Sequence, residues 1–249
     1  MIKCVWRHEK IKMVRLLVFD LDSTLAPLGK GIGEKELELF RKIEKSGVRI
    51  AVCSGKTCDY LCGFMRQVGL EDPILIGENG AVIRFGVDLP PKHHHRIPFL
   101  KEIEVSLKQI KKMLEERYPH IWFQPNKVGV TPFPTLEKEF EEIQEILDVW
   151  QKGKEGIQVF RHIDSFDIVP AGIDKSVGIR YVLDLLGMTA EEMVAVGDGV
   201  NDYCMFEMAG FAVGVNVKES FRVNRNCNTT LEMLEYIFNM VTIQSQANL

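Results

Sequence analysis

Short apolar runs alternate with amphipathic stretches over the first third of the chain. Residues 14–19 form an apolar run that ends at charge, the pattern of a strand buried on both faces. Leu37, Leu39, Phe40 and Ile43 fall at roughly helical spacing within 34–46, and Gly47 closes that helix. A second strand over 48–53 is rich in β-branched residues. A helix over 58–68 ends at Gly69, and a third strand covers 73–76. After Glu78-Asn79-Gly80, where Asn-Gly favours a tight reversal, a further short strand is expected over 81–85.

The pattern changes near Gly86. Residues 88–98 hold three prolines and the run His93, His94 and His95, which reads as a solvated linker. A helix over 101–118 follows, then strands over 121–124 and 128–132, a helix over 136–151, and strands over 157–162 and 166–169. Pro170-Ala171-Gly172 closes this stretch. The strand–helix alternation then resumes: helix 175–186, strand 193–196, a loop over 197–202, a helix to Ala209, strand 211–215 and a last helix over 230–240. Residues 223–228, with three asparagines, read as a solvated loop. A βαβ unit is thus split in sequence, 13–85 and 172–249, around an inserted α+β unit, 86–171. Residues 1–12 are either a loose extension or lie ahead of a start at Met13.

Bulk properties narrow the classes. The 249 residues suffice for one large or two modest domains, and 46% hydrophobic with 27% charged residues is ordinary for a soluble protein. The net charge of −4, with Lys and Arg dispersed, argues against a nucleic-acid partner. No apolar run approaches the roughly 18 residues of a membrane span, and the first residues hold no signal-peptide core, so no membrane partner and a cytoplasmic location are expected. The six cysteines, Cys4, Cys53, Cys58, Cys62, Cys204 and Cys227, show neither zinc spacing nor a C-x-x-C pair. They are expected as free thiols, with Cys58 and Cys62 on one helix face.

Parallel βα units place reactive groups at the carboxyl ends of their strands. Asp20 and Asp22 stand at the end of the first strand, where one can attack while the other carries a proton, and carboxylates suit Mg²⁺. Taken alone, such a pair is also a simple strand-capping turn. Ser54 ends the second strand, where a hydroxyl and free N–H groups can hold a phosphate oxygen, although Ser is equally a favoured helix N-cap. Lys175 opens the helix where the core pattern resumes. Its ammonium can pair with a nucleophilic carboxylate and with phosphate, or it is a solvated lysine. Gly197-Asp198-Gly199-Val200-Asn201-Asp202 is the most specific stretch: it suits a metal held by Asp198, with Asn201 and Asp202 as ligands or supports.

The order Asp20-Leu21-Asp22-Ser23-Thr24, Ser54, Lys175 and Gly197 to Asp202 resembles the haloacid dehalogenase superfamily of phosphatases. The segment after Glu78-Asn79-Gly80-Ala81 looks like the cap of the subgroup that contains sugar-phosphate and phosphoglycolate phosphatases. The resemblance implies an α/β fold with a Rossmann-like core, a parallel sheet and an inserted α+β cap domain. It implies that Asp20 is the nucleophile that becomes an aspartyl-phosphate and that Asp22 is the acid and base. It assigns Ser54 and Lys175 to the phosphoryl group. Mg²⁺ would be held by the Asp20 side chain, the Asp22 backbone carbonyl and Asp198, with Asn201 and Asp202 in support. The partner is a small phosphorylated molecule. The family usually has Gly where this chain has Ser23, a change expected to be harmless unless the turn is left-handed. A phosphotransferase such as a phosphomutase would use the same intermediate, and a non-catalytic binding module is a third reading. Among cap residues Gln124, Asn126, Lys127, Arg161 and His162, the cations Lys127 and Arg161 are expected to read a second acidic group on the substrate.

Overall fold

A computed structural model describes residues 13–153, 156–218 and 222–247. The first strand, β1 (Leu16–Phe19), is wholly buried, as its unbroken apolar run requires. It leads through α1 (Glu34–Glu44), β2 (Arg49–Cys53) and α2 (Cys58–Val68) to β3 (Ile74–Gly77), β4 (Val82–Phe85) and β5 (His93–Arg96). Next come α3 (Lys101–Arg117), β6 (Trp122–Gln124), β7 (Thr131–Phe133), α4 (Glu137–Gly153), β8 (Ile157–Arg161) and β9 (Phe166–Pro170). The chain then runs through α5 (Lys175–Leu186), β10 (Met193–Gly197), α6 (Tyr203–Met208), β11 (Phe211–Val215), β12 (Arg225–Cys227) and α7 (Thr230–Ala247).

Eight strands form one sheet in the order β12-β11-β10-β1-β2-β3-β4-β5. The first six in that order run parallel, β4 pairs antiparallel with β3, and β5 pairs antiparallel with β4. Alternate strand residues face opposite layers. Leu17, Phe19, Val52 and Val196 pack with Phe40, Leu61, Met65 and Leu234 of α1, α2 and α7. Leu16, Val18, Ala51 and Ala195 pack with Ile179, Val182 and Met205 of α5 and α6. Each such side chain, fully removed from water, contributes roughly 1.5–3 kcal/mol. This is the α/β architecture expected. The hairpins β6-β7 and β8-β9 meet at a bridge between Val130 and Ile168, and α3 and α4 pack on them around a separate core that includes Leu107, Leu114, Leu147 and Phe166. No described helix is long and apolar enough to cross a membrane.

Two segments read as solvated loops are edge strands. His93–Arg96 pairs with β4, so the large sheet continues past Gly86. His93 and His95, two apart and hence on one face, stack on Tyr181, with the His95 and Tyr181 rings 4.1 Å apart and nearly parallel. At the opposite edge Arg225–Cys227 pairs with β11. There Asn226 donates to the Val217 carbonyl and accepts its N–H. Of the cysteines, Cys53, Cys58, Cys62, Cys204 and Cys227 are free thiols, whereas Cys4 lies outside the described residues.

Between β3 and β4 the chain makes a single 3-10 turn in which Glu78, Asn79 and Gly80 all take positive φ, at 52°, 54° and 97°. Only glycine adopts such backbone freely, so the first two residues are held there by their surroundings. A side chain at Gly80 would press into the Asp174 carbonyl oxygen at the start of α5. Gly80→Ala should therefore destabilise the fold by about 3 kcal/mol. Urea unfolding checks this, and an unchanged midpoint would contradict the close approach of α5 to the turn.

Candidate active site

The neighbouring strands β10, β1 and β2 end in Asp198, Asp20 and Ser54, so sheet order alone brings these groups to one rim. Asp20, Asp22, Ser54, Lys56, Asp198 and Asn201 line one side of a cavity of about 250 Å³. Lys175 lies just below them at 1% exposure. Its position follows from α5, whose N-cap Asp174 accepts the Ser176 N–H and aims the first helical residue at the strand ends. The Lys175 ammonium donates to Asp20 Oδ1 and Asp202 Oδ1, both at 2.6 Å. Asp202, at 0% exposure, also accepts the backbone N–H groups of Asp198 and Gly199 through Oδ2 at 2.9 and 3.1 Å. It thereby ties the glycine-flanked turn to the lysine. Thr24 donates to Asp198 Oδ1 at 3.0 Å.

The charges do not balance. Oxygen atoms of Asp20, Asp198 and Asp202 lie within 4.8 Å of one another, with Lys175 the cation bonded among them. Burial pushes Asp20 up to about 7 against the pull of Lys175, and the nearby Asp202 adds to the rise. Burial and Asp202 likewise raise Asp198 to about 6. Asp20 and Asp202 overcome the burial penalty on Lys175 and hold it charged, well above its ordinary value. A cluster of oxygen donors with surplus negative charge fits a hard divalent cation such as Mg²⁺.

The remaining core residues take distinct places. Ser54 is buried, and its Oγ accepts the Lys56 N–H at 3.2 Å, which leaves its own hydroxyl hydrogen free to donate. The side chain of Asp22 stands apart from the three-acid cluster: it lies 3.5 Å from the Lys56 ammonium and accepts the Gly29 N–H at 3.4 Å. Ser23, beside it, has φ of 64°, so the turn is left-handed and the departure from Gly carries backbone strain of roughly 1–2 kcal/mol.

The cap side of the cavity differs from expectation. Lys127 pairs with Asp59 at 3.0 Å and Arg161 with Glu141 at 2.7 Å, and neither lines the cavity. Gln124 and His162 do, together with Thr131, Phe133, Asp164 and Asp167. Asn126 sits behind, donating to Thr131 Oγ1 at 2.8 Å. Lys56, Asn79 and Asp167 escaped sequence reasoning. The one signal was an acid inside the apolar strand run Phe166-Asp167-Ile168-Val169, since a buried carboxylate demands partners. Its partners are Asn79 Nδ2 at 2.7 Å, Thr131 Oγ1 at 2.7 Å and His162 Nε2 at 3.0 Å, all donating. Burial alone would raise Asp167, yet the His162 and other hydrogen bonds bring it below its ordinary value. The bond to Asp167 in turn raises His162.

A parallel core sheet with acids gathered at its strand ends, roofed by an α+β unit, defines the class of a capped α/β protein with an acidic centre. A family model for haloacid dehalogenase-like hydrolases matches residues 17–155 and 130–220, and the chain belongs to that family. It is 26% identical over 217 residues to a phosphoglycolate phosphatase of Methanospirillum hungatei, an alignment that spans 84% of this chain and 88% of the relative. Among solved structures, Thermoplasma acidophilum 0175 superposes with a TM-score of 0.74 at 16% identity, covering 93% of this chain and all of that one. A haloacid dehalogenase-like hydrolase from Bacteroides thetaiotaomicron superposes with a TM-score of 0.71 at 22% identity, covering 91% and 99%.

If the acidic cluster takes a divalent ion, saturating Mg²⁺ should raise the melting temperature by roughly 5 °C. Asp198→Asn should remove most of that rise. A melting temperature indifferent to Mg²⁺ would contradict the fit.

Proposed function

We propose that the chain is a Mg²⁺-dependent phosphatase that hydrolyses a small phosphate monoester through an aspartyl-phosphate at Asp20. The observation that carries this reading is the buried Lys175 shared by Asp20 and Asp202, with Asp198 as a third carboxylate at the same rim. That arrangement positions an attacking oxygen beside a fixed cation. The names of the relatives support the reaction class.

In the first step an Asp20 oxygen attacks phosphorus and the bond from phosphorus to the leaving oxygen breaks, while Asp22 gives that oxygen a proton. In the second, water attacks the phosphoryl group and Asp22 takes its proton. The bond to Asp20 then breaks and inorganic phosphate leaves. Dividing a very slow hydrolysis into two displacements lowers each barrier. Lys175 holds Asp20 in line through Oδ1, so its other oxygen attacks. The free Ser54 hydroxyl donates to a phosphoryl oxygen, as does the Lys56 ammonium where it reaches one. Asp20, Asp198 and the Asp22 carbonyl would hold Mg²⁺, with Asp202 behind, and the ion would supply the charge neutralisation that lets one anion approach another.

With no acceptor sugar present, Asp20→Asn should lower turnover at least about a thousandfold while the chain stays folded by circular dichroism. Asp22→Asn should slow alkyl phosphates by roughly 10²–10⁴ and acetyl phosphate, with its good leaving group, far less. EDTA should stop the reaction and Mg²⁺ restore it. Normal hydrolysis by Asp20→Asn would sink the nucleophile assignment, and an equal loss on all leaving groups would sink the acid assignment.

A further inference from the structure

Asp167 is the centre of a hydrogen-bond chain that runs from core to cap and back. Gln124 Nε2 donates to the Gly55 carbonyl at 3.0 Å and to Asn126 Oδ1 at 2.6 Å. Asn126 donates to Thr131, and Thr131 donates to Asp167 Oδ1. The core returns through Asn79, which donates to Asp167 Oδ2, and the same oxygen accepts from His162. A carboxylate that receives three donors has no proton to give, so the His162 Nε2 carries the hydrogen. No described protein group bonds its Nδ1, and the ring lines the same cavity as Asp20 and Asp22. Five side chains and a core carbonyl thus fix one imidazole across the cavity from Asp20, with one ring nitrogen open.

The charges facing the leaving group restrict what that nitrogen meets. Neither cation that lines the cavity is spare: Lys56, 3.5 Å from Asp22, serves the phosphoryl group, and His162 is bonded to Asp167. Lys127 and Arg161 are paired outside it. Asp164, bonded by the Ser165 hydroxyl, adds a further carboxylate on the cap side, so the single imidazole faces two acids. A carboxylate on the leaving group would meet this acid with no spare cation to offset it. Hydroxyl groups suit it, since Asp164 accepts and the imidazole serves at Nδ1. The Phe133 ring supplies an apolar wall for carbon-bound hydrogens.

Resting on the phosphatase reading, we propose that His162, oriented by Asp167, reads the leaving alcohol, and that this alcohol is an uncharged polyol rather than a carboxylate-bearing one. His162 is the specificity-determining residue and Asp167 its positioning residue.

Steady-state kinetics with erythrose 4-phosphate, ribose 5-phosphate, sorbitol 6-phosphate and 2-phosphoglycolate test this, with acetyl phosphate as a reference whose leaving group offers the cap no hydroxyl. The best polyol or aldose phosphate should exceed phosphoglycolate in kcat/KM by about tenfold or more. His162→Ala and Asp167→Asn should each raise KM for that substrate about tenfold while acetyl phosphate turnover stays within about threefold. His162→Gln, which keeps an amide donor and acceptor, should recover part of the loss. Preference for phosphoglycolate, or an equal loss on acetyl phosphate in the His162 variants, would overturn the proposal. A wild-type chain inert toward acetyl phosphate and all four monoesters would instead overturn the phosphatase reading, and this proposal with it.

Discussion

The site depends on a buried ammonium. Lys175 is 1% exposed, and a lone ammonium so placed costs several kcal/mol unless acids meet it. Asp20 and Asp202 meet it at 2.6 Å each. Because Asp20 ends one strand and Asp202 follows the next, the lysine locks together the strand ends that carry the reactive groups. The same contact explains the surplus charge. Two carboxylates share one ammonium and a third stands beside them, so the cluster remains short of positive charge until a cation arrives. That surplus of negative charge is what fits the cluster to a divalent cation.

One strained turn carries several of the contacts that join the cap to this core. Glu78 and Asn79 both occupy left-handed backbone, and each spends its side chain on the cap. The Glu78 carboxylate accepts the N–H groups of Lys127, Val128 and Gly129 at 2.8, 2.8 and 3.1 Å. Burial raises Glu78, and those three bonds oppose the rise. Asn79 reaches Asp167. Neighbouring residues of one turn therefore hold the loop after β6 and the strand β9, which lines the cavity from above. The turn leans on α5 at Gly80 and Gly178, the helix that begins with Lys175, so the placement of the cap and that of Lys175 share a support.

Most of the core was legible because its signals are local. Unbroken apolar runs marked β1, β2 and β10, and the polar groups at their ends, Asp20, Ser54 and Asp198, marked the rim. The edge strands were hidden because they bury little apolar area: His93–Arg96 shows only alternation, with two rings against Tyr181, and Arg225–Cys227 is held by asparagine bonds to backbone. Lys127 and Arg161 stand outside the cavity, which sequence could not show because it displays a charge but not its partner. Asp59 and Glu141 claim them from distant positions. Asp167 was overlooked for the converse reason: its partners Asn79, Thr131 and His162 come together only in the folded chain.

The central claim is that phosphorus passes through Asp20. Mixing enzyme, Mg²⁺ and acetyl phosphate, quenching in acid within a turnover and reducing with borohydride converts any acyl phosphate to an alcohol that peptide mass spectrometry locates. The account predicts homoserine at position 20 and at no other acid, absent when substrate is omitted. Reduction at a different residue, or none during active turnover, would contradict it.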